Sequence, residues 1–447
     1  MQELITIKKA KNIASKILER KVEETNISYL IQYGKIKKYT YNGVTKVKVS
    51  ELKEYYKSHN GYRKKRWRDK IGDDLNWQLS FEHLRERDTT KHVHRLHPYK
   101  GKFIPQLVEY FIDDHTDNLK KEVYFKKNDI ILDPFSGSGT TLVQANENNI
   151  HSIGIDISIF NCMLTRAKLE EYNIVLLKQE LEKISILIKD FNYSSNINQF
   201  EKELSKELSD FNKKHFPNPD FKRDIHLGRI DESKYAQQME KLFSNIYSEL
   251  IRKYSIQLKN AANNTFLNKW YVSNIHNEID HIRLKINQIT DEKIKLLISI
   301  ILSRTIRSCR ATTHSDLATL KQPQLYPYYC WKHKKICKPL FSLKTWFNRY
   351  KNDSIKRILE FNEIKTTAYW SIINDDSRST DIFSKIKDTN STFYKLLKKS
   401  KIKGIFTSPP YVGQIDYHEQ HAYAYELIKN FTLKGEVFYR LRVISVL

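Results

Sequence analysis

Residues 406–411, with the sequence FTSPPY, combine a hydroxyl, backbone carbonyls and an aromatic face that can hold a planar base. Two consecutive prolines cannot continue the hydrogen bonding of a sheet, so the chain must leave the sheet after the apolar run before them. The turn then places the Ser408 hydroxyl and the Pro409 carbonyl at the carboxyl edge, where open α/β sheets bind ligands. Tyr411 offers a face on which a planar base can stack. An ordinary Pro-Pro turn is the alternative interpretation.

A glycine-containing turn precedes this segment by more than 260 residues. Residues 133–141 read DPFSGSGTT and lie between the strand-like run 129–133 and a helix predicted from Thr140. Glycines let the backbone approach a ligand, and a helix start offers unpaired N–H groups. The Gly-Lys-Ser/Thr ending of a phosphate-binding P-loop is absent. A second strand, 151–156, ends in Asp156, which favours a nucleoside ligand whose ribose hydroxyls donate to its carboxylate. A helix N-cap is the alternative role for Asp156.

Cysteine and histidine residues gather in the second half of the chain. Spacing of the type Cys-x2-His-x3-Cys can bind zinc in a tetrahedral site. Buried cysteines together with histidines that contact phosphate or bases are the alternative. The candidate ligands are Cys309, His314, Cys330, His333 and Cys337.

Pro219-Asp220 followed by Glu232-Ser233-Lys234 superficially matches the PD…ExK pattern of nucleases. That pattern is common by chance. Neither half lies on a convincing predicted strand, and the glutamate adjoins a predicted helix. The pattern therefore gives little support to a fused nuclease.

The elements that must position these groups alternate strand and helix. Two strand–turn–helix steps, at 129–141 and 151–165, predict an α/β doubly wound sheet. Long charged amphipathic patterns follow and predict a helical insert rather than a loop. Strand-like runs return at 370–376 and 402–408. We therefore divide the chain into a basic module (1–75), a first half of the sheet (76–165), a mainly helical insert (166–365) and a second half of the sheet (366–447).

Residues 6–57 predict a small DNA-binding module. Helices are expected at 6–20 and 22–33, followed by a hairpin around Asn42-Gly43 and a helix capped by Ser50. This order resembles an excisionase-like winged helix-turn-helix, in which the hairpin contacts phosphate. A generic small α/β module is the alternative. The basic run 63–68, with an interleaved tryptophan, also suits a phosphate backbone.

Composition narrows the class of protein. The 447 residues carry 77 Lys+Arg against 52 Asp+Glu, a formal charge of +25, and residues 1–100 contribute +12 of it. A local excess of positive charge favours a polyanionic partner. The alternative is that the charge only reflects a Lys-rich composition. Four cysteines do not form a disulfide scaffold. With no secretory signal or membrane-spanning run in the sequence, a cytoplasmic protein without membrane association is expected.

DPFSGSGTT, Asp156 and FTSPPY together resemble the motifs of the exocyclic-amino (cytosine-N4 and adenine-N6) DNA methyltransferases. HPYKGKFIP at 97–105 is similar to the family motif that precedes the glycine loop, and INDDSR at 373–378 to the one before the catalytic strand. The resemblance implies a Rossmann-like sheet that binds S-adenosylmethionine. It covers roughly 80–165 and 366–428, leaving the N-terminal module and the insert outside these motifs.

The resemblance also implies roles for the parts of the chain: residues 76–165 form the cofactor-binding half, 366–447 the catalytic half, and the insert 166–365 serves target recognition. It assigns roles to individual residues as well. The residues it places at the catalytic site are Ser408, Pro409, Pro410 and Tyr411. The residues it places around the cofactor are Lys102, Phe103, Asp133, Pro134, Phe135, Gly137, Gly139, Thr140, Asp156 and Asp376, with Asp376 beside the adenine ring.

The implied reaction is direct attack by an exocyclic amine on the methyl group of the cofactor. No cysteine follows a proline, so the covalent mechanism of cytosine-C5 methylation is not favoured. The TSPPY form resembles the cytosine-N4 branch most closely, and adenine-N6 methylation is the nearest alternative. A second alternative is not an active enzyme but a catalytically incomplete subunit that binds DNA or confers specificity. The expected substrate is double-stranded DNA, whose target base must flip out of the helix to enter the site.

One departure from the family pattern concerns the end of the sequence. Only 36 residues follow Tyr411, whereas the family normally continues through three more strands. The sheet is therefore expected to lack its C-terminal strands, or to receive them from a second polypeptide. A cognate restriction endonuclease is a further expected partner.

Overall fold

The computed structural model describes residues 3–18, 21–41, 43–58, 77–81, 84–85, 87–99, 101–194, 196–258, 265–313, 322–338, 343–409 and 417–428. Several sequence predictions fall outside these ranges. They concern His314, Pro410, Tyr411, the basic run 63–68 and the segment 429–447, on which the expected lack of C-terminal strands depends.

The N-terminal unit combines three helices with a three-stranded antiparallel sheet. Its elements are β1 (Leu4–Thr6), α1 (Ile7–Leu18), α2 (Glu24–Gln32), β2 (Tyr39–Tyr41), β3 (Val44–Lys48) and α3 (Val49–Lys57). The strands lie in the order β1-β3-β2. Gly43 takes a positive φ of 74° in the hairpin, as a tight turn requires. The predicted cap Ser50 is wrong, because α3 begins at Val49 with Lys48 as its N-cap.

This unit has its own small core and also touches the helical insert. Ala10, Ile27 and Leu52 are fully buried within it. Lys222 places its ammonium 5.3 Å from the ring centre of Tyr33. The unit is therefore attached to the rest of the protein by contacts as well as by the chain.

The central sheet is parallel, as the strand–turn–helix pattern predicts. Its strands are β4 (Ile130–Asp133), β5 (His151–Asp156), β8 (Trp370–Asn374) and β9 (Ile402–Ile405). They lie in the order β8-β5-β4-β9, and all three neighbouring pairs are parallel. The chain moves from β4 to β5 and β8, and then returns to the opposite side of β4. The order therefore reverses between β4 and β9, and ligands bind at such a switch point.

Helices cover both faces of this sheet. The relevant helices are α4 (Pro105–Ile112), α5 (Thr140–Glu147), α6 (Ile159–Leu169), α15 (Ile382–Thr389), α16 (Ser391–Lys399) and α17 (Tyr417–Ile428). Ile153 and Ile155 of β5 pack with α15 and α16 on one face. Ile131 of β4 packs with α4 and α5 on the other. Burial on both faces explains why these strands are continuous apolar runs rather than alternating ones.

The residues between α6 and β8 form two hydrophobic clusters. The elements are α7 (Ile174–Ser194), α8 (Ile197–His215), α9 (Asp220–His226), α10 (Glu232–Tyr254), α11 (Phe266–Trp270), α12 (Ser273–Asn287), α13 (Glu292–Cys309), β6 (Tyr328–Cys330), β7 (Lys335–Cys337) and α14 (Leu343–Asn362). Helices α7, α12, α13 and α14 share one core with α5, α6 and α17. Helices α8, α9 and α10 form a separate core that includes Tyr329 and Ile336 of the β6–β7 hairpin. One part of the insert thus supports the sheet, and the other stands apart from it.

The nuclease-like pattern falls entirely on helical elements. Asp220 begins α9, where it pairs with Arg223. Glu232 begins α10 and accepts hydrogen bonds from Tyr329 and Lys334 of the hairpin. Neither acid lies on a strand, so the nuclease interpretation is not supported. Among the described residues, no helix combines the length and apolar character needed to cross a lipid bilayer.

The shared core predicts a position-dependent cost for removing isoleucine side chains. Ile301 on α13 is fully buried, whereas Ile186 on α7 is 51% exposed. We expect Ile301→Ala to lower the free energy of unfolding by about 2–5 kcal/mol, because it leaves a cavity. Ile186→Ala is the control and should change it by less than about 0.5 kcal/mol. Urea titration followed by circular dichroism measures both, and equal losses would contradict the packing described.

Candidate functional site

One hydrogen bond joins the two motif-bearing segments of the sheet. Thr407 Oγ1, directly after β9, donates to Asp133 Oδ1 at the end of β4, over 2.6 Å. The backbone N–H of Phe406 also donates to the carbonyl of Leu132, over 3.0 Å. Residues 274 positions apart are thereby fixed side by side, and Ser408 lies against the start of the glycine loop.

The glycine loop makes a close turn between β4 and α5. Gly137 and Gly139 have positive φ values of 50° and 73°. A Cβ on Gly139 would lie 2.5 Å from the side chain of Thr165 on α6, which no real contact allows. The loop is also tied to β5, because the Ser136 N–H donates to the Ile155 carbonyl over 3.0 Å. Glycine at 139 is therefore required both by the backbone and by the neighbouring helix.

Asp156 fixes the turn through hydrogen bonds to its carboxylate. One carboxylate oxygen accepts from the Gly137 N–H over 2.8 Å. The other accepts from the Ser158 N–H and the Asn161 side chain, over 2.8 and 3.0 Å. Burial raises the pKa of Asp156 to about 6, against the lowering effect of these hydrogen bonds. Ser158 is the N-cap of α6, so the alternative role of Asp156 as the cap is wrong.

Two lysines lie beside the loop, Lys168 buried and Lys102 half-buried. Lys102 donates to the carbonyl of His94 over 2.9 Å, and burial lowers its pKa to about 8. Lys168 on α6 is 1% exposed and donates to the Ser138 carbonyl, and burial lowers its pKa well below the usual value. The sequence analysis missed Lys168. The only available signal was its position between Ala167 and Leu169 on a helix that is otherwise largely apolar.

Tyr99 of the HPYKGKFIP segment covers the loop from above. Its ring stacks on His421 of α17, with centroids 5.3 Å apart, and its hydroxyl accepts from Asn161 over 3.2 Å. A Cβ on Gly137 would lie 3.3 Å from that hydroxyl. The sequence analysis placed this segment at the cofactor but did not single out Tyr99.

These elements enclose a cleft at the switch point. Of the predicted residues, the cleft wall contains Lys102, Phe103, Asp133, Phe135, Gly137, Thr140 and Ser408. It also contains five residues that were not predicted, namely Tyr99, Gly101, Ser136, Ser138 and Thr141.

The cleft has polar groups without a protein partner. The buried hydroxyls of Ser136 and Ser138 have no hydrogen-bond partner among the described residues. Phe135, in contrast, exposes 40% of its surface in the cleft wall. Buried hydroxyls normally find a partner, so these two fit a polar ligand that also presents an apolar surface.

Three predicted ligand-binding residues lie just outside the cleft wall, and a fourth is engaged elsewhere. Pro134 and Gly139 shape the turn, while Asp156 supports it from behind. Asp376 follows β8 and forms an exposed ion pair with Arg378 over 2.6 Å, which lowers its pKa to about 2. An adenine ring beside Asp376, as predicted, would therefore have to lie against this ion pair.

The predicted zinc ligands come together only in part. Cys330 Sγ and Cys337 Sγ lie 3.4 and 3.7 Å from His333 Nδ1. Cys309 is wrong as a member of this group, because the end of α13 is buried in the core shared with the sheet helices. His314 lies outside the described residues.

Comparisons with known proteins agree with the motifs. A family model described as DNA methylase matches residues 1–166. The chain is 47% identical to the type II methyltransferase M.MjaII of Methanocaldococcus jannaschii over 95% of its length and 79% of that protein. It is 32% identical to the type II methyltransferase M.MvaI of Kocuria varians, over 28% of this chain and 25% of that one. No solved structure gave a significant match.

The glycine loop predicts a difference between two glycines with the same backbone conformation. Gly139 and Gly228 have φ values of 73° and 72°, but a Cβ on Gly228 meets nothing within 4 Å. We expect Gly228→Ala to lower the free energy of unfolding by about 1 kcal/mol, from backbone strain alone. Gly139→Ala adds a clash with Thr165 and should cost about 2–5 kcal/mol. Thermal unfolding compares the two, and losses of equal size would contradict the tight contact with α6.

Proposed function

The chain belongs to the N6/N4 family of DNA methylases, as its motifs predict, and from that premise we propose that it methylates the N4 amino group of cytosine in DNA. Enzymes of this family use S-adenosylmethionine. The nearest alternative is methylation of the adenine N6 amino group by the same residues. The proposal includes a cognate restriction endonuclease that cuts the unmethylated sequence.

A single observation carries the proposal. The hydrogen bond from Thr407 to Asp133 brings the Ser408 end of the TSPP segment to the mouth of the glycine cleft. A transfer reaction needs the donor pocket and the acceptor-binding group to share one space, because proximity and orientation supply much of the rate enhancement. The two segments meet at the topological switch point of the sheet, where that space exists.

The cleft residues fit the proposed cofactor. The polar methionine end of the cofactor would engage the unpartnered hydroxyls of Ser136 and Ser138. Asp156 lies just outside the cleft wall, so its proposed role as acceptor for the ribose hydroxyls requires the ligand to reach past the Gly137 turn. Phe135 offers an apolar surface, and Gly137 leaves room for close backbone approach under Tyr99. When bound, the cofactor supplies an electrophilic methyl group.

The proposed catalytic task of the chain is to orient the amino group of the base. The lone pair of an exocyclic amine is delocalised into its ring, which makes the amine a weak nucleophile. Hydrogen bonds donated by the amino group to the Ser408 hydroxyl and the Pro409 carbonyl would localise that pair and direct it towards the methyl group. Tyr411, from its position in the motif, would stack on the flipped base. No covalent base adduct is needed.

The N-terminal unit supplies a surface suited to DNA. The ammonium groups of Lys46 and Lys48 lie 4.8 and 5.0 Å from the ring centres of Tyr41 and Tyr39. Tyr41 remains 62% exposed. Lysines held over aromatic rings on a hairpin suit contact with a phosphate backbone, so we assign this hairpin as the wing of the DNA-binding module.

Replacing Ser408 tests the catalytic assignment. We expect Ser408→Ala to reduce methyl transfer by about 10²–10³-fold, because one hydrogen bond to the reacting amine is lost. The dissociation constant of the cofactor should change less than about threefold. Ser384→Ala, an exposed serine on α15, is the matched control and should leave the rate unchanged. Labelled cofactor and plasmid DNA measure transfer, and calorimetry measures binding.

The product of the same reaction identifies the base. Nucleoside analysis should show N4-methylcytosine, whereas N6-methyladenine would support the alternative substrate. C5-methylcytosine would contradict the direct mechanism. DNA binding without any cofactor binding would instead indicate a specificity subunit.

The raised pKa of Asp156 predicts that cofactor affinity depends on pH. In the free protein the carboxyl titrates at about 6. If the ribose hydroxyls require the ionised form, the dissociation constant should rise about tenfold between pH 7 and pH 5, since about nine-tenths of the carboxyl is then protonated. Asp156→Asn should bind more weakly at pH 7 and lose this dependence. Calorimetry at both pH values measures the dissociation constant. The same change between pH 7 and pH 5 in the variant would contradict the role assigned to Asp156.

The raised pKa of Asp156 also predicts how the free energy of unfolding of the ligand-free protein depends on pH. Because its folded pKa lies above the ordinary value of 3.8, its neutral form is favoured by folding. Its stabilising contribution is therefore complete below about pH 4 and is lost as the pH rises through about 6. The difference in unfolding free energy between Asp156→Asn and the natural chain should change in that window only.

A further inference from the structure

The β6–β7 hairpin is too small to be stable by itself. Each strand has three residues, Tyr328–Cys330 and Lys335–Cys337, and isolated two-stranded hairpins are marginal in water. The N–H groups of His333 and Lys334 donate to the Cys330 carbonyl over 3.0 and 2.7 Å, which closes the turn. The hairpin therefore depends on contacts beyond its own two strands.

The two faces of the hairpin have different partners. Tyr329 and Ile336 face the separate core of α8, α9 and α10. The alternation of a strand then places Tyr328, Cys330 and Cys337 on the opposite face, where they form their own small cluster. Both thiols therefore point to the same side, away from the helices, and the turn between them carries His333.

We propose that Cys330, His333 and Cys337 bind one zinc ion, with the fourth position open to water or to another group. Zinc–sulfur and zinc–nitrogen bonds of about 2.3 and 2.0 Å place tetrahedral neighbours about 3.5 Å apart when one is sulfur and one nitrogen. The two sulfur-to-nitrogen distances here are 3.4 and 3.7 Å. Two of the three distances between ligand atoms thus match the edges of such a tetrahedron, and the two sulfur atoms lie within 4.8 Å of each other.

The chemistry of the donor set selects the metal. Two thiolates and an imidazole favour zinc over magnesium or calcium, which prefer oxygen ligands. Closing a loop of eight residues from Cys330 to Cys337 would also fix the turn. The site therefore acts as a structural staple for the hairpin.

A second group of possible ligands serves as a contrast. His92, His94 and Glu147 also have their donor atoms within 4.8 Å of one another. There the Lys91 ammonium contacts the Glu147 carboxylate over 2.7 Å, so a cation already neutralises the acid. Lys102 and Lys168 add further positive charge beside His94. Lysines lie near the hairpin as well, since Lys332, Lys335 and Lys222 act on His333. The difference between the two groups is that Glu147 is already paired with Lys91, whereas the hairpin offers two thiols, which lose their protons when they bind zinc.

Metal content of the full chain tests the site. Protein loaded with zinc and then dialysed should retain about one equivalent by mass spectrometry. The double variant Cys330→Ser, Cys337→Ser should retain less than about 0.1 equivalent. Cys309→Ala is the control, since its thiol lies in the other core, and it should retain the metal. Less than about 0.1 equivalent in the natural chain, or loss of metal in Cys309→Ala, would overturn the proposal.

Cobalt substitution tests the geometry without any variant. Cobalt(II) in the natural chain should give the intense visible absorption of a tetrahedral site together with a near-ultraviolet thiolate band. A weak six-coordinate spectrum would contradict the assignment. Chelation should also lower the melting temperature of the natural chain but leave the double variant unchanged, because ligand binding stabilises only the state that binds. These readouts do not depend on methyl transfer, so they fail or succeed independently of the proposed function.

Discussion

The hydrogen bond between Thr407 and Asp133 connects the two halves of the cleft. Asp133 is 3% exposed, and burial raises its pKa, so its carboxyl group must find partners inside the protein. The backbone N–H of Phe135 in the glycine loop supplies a local donor, and Thr407, 274 positions later in the chain, supplies one from the segment that follows β9. The bond from Thr407 therefore helps to hold β9 beside β4. That placement in turn brings Ser408 to the glycine loop. The insert, which lies between β5 and β8 in the chain, must therefore fold without displacing these two strands.

Burial also explains the unusual charge arrangement around the loop. Burial, with a smaller contribution from the nearby Asp133, raises the pKa of Asp156, while half-buried Lys102 and buried Lys168 lie nearby. Each of these groups is held by backbone or side-chain hydrogen bonds rather than by a salt bridge between them. Groups held in this way are already oriented and need not reorganise when a polar ligand binds. The hydrogen bonds that fix the loop thus also fix the direction of its polar groups.

The sequence predicted the features that local patterns determine. The apolar runs of β4 and β5, the glycine loop and the Pro-Pro exit from β9 follow from residue types alone. The sheet order and the Thr407–Asp133 contact do not, because they join residues far apart in the chain. Lys168 was missed since a lysine on an amphipathic helix is normally solvated. Cys309 was wrongly grouped with the hairpin because sequence spacing cannot show that the last turn of α13 faces the core.

The separate core of α8, α9 and α10 holds two surface features at once. Tyr33 of the N-terminal unit lies against Lys222 on α9, and the β6–β7 hairpin rests on the same helices through Tyr329. The tip of that hairpin exposes Trp331, with the Lys334 ammonium 5.3 Å from its ring centre. The spacing between the N-terminal unit and the hairpin tip is consequently set by packed helices. A change in the packing of α8, α9 and α10 would move these two surfaces relative to each other, whereas the cleft at the sheet rests on a different core.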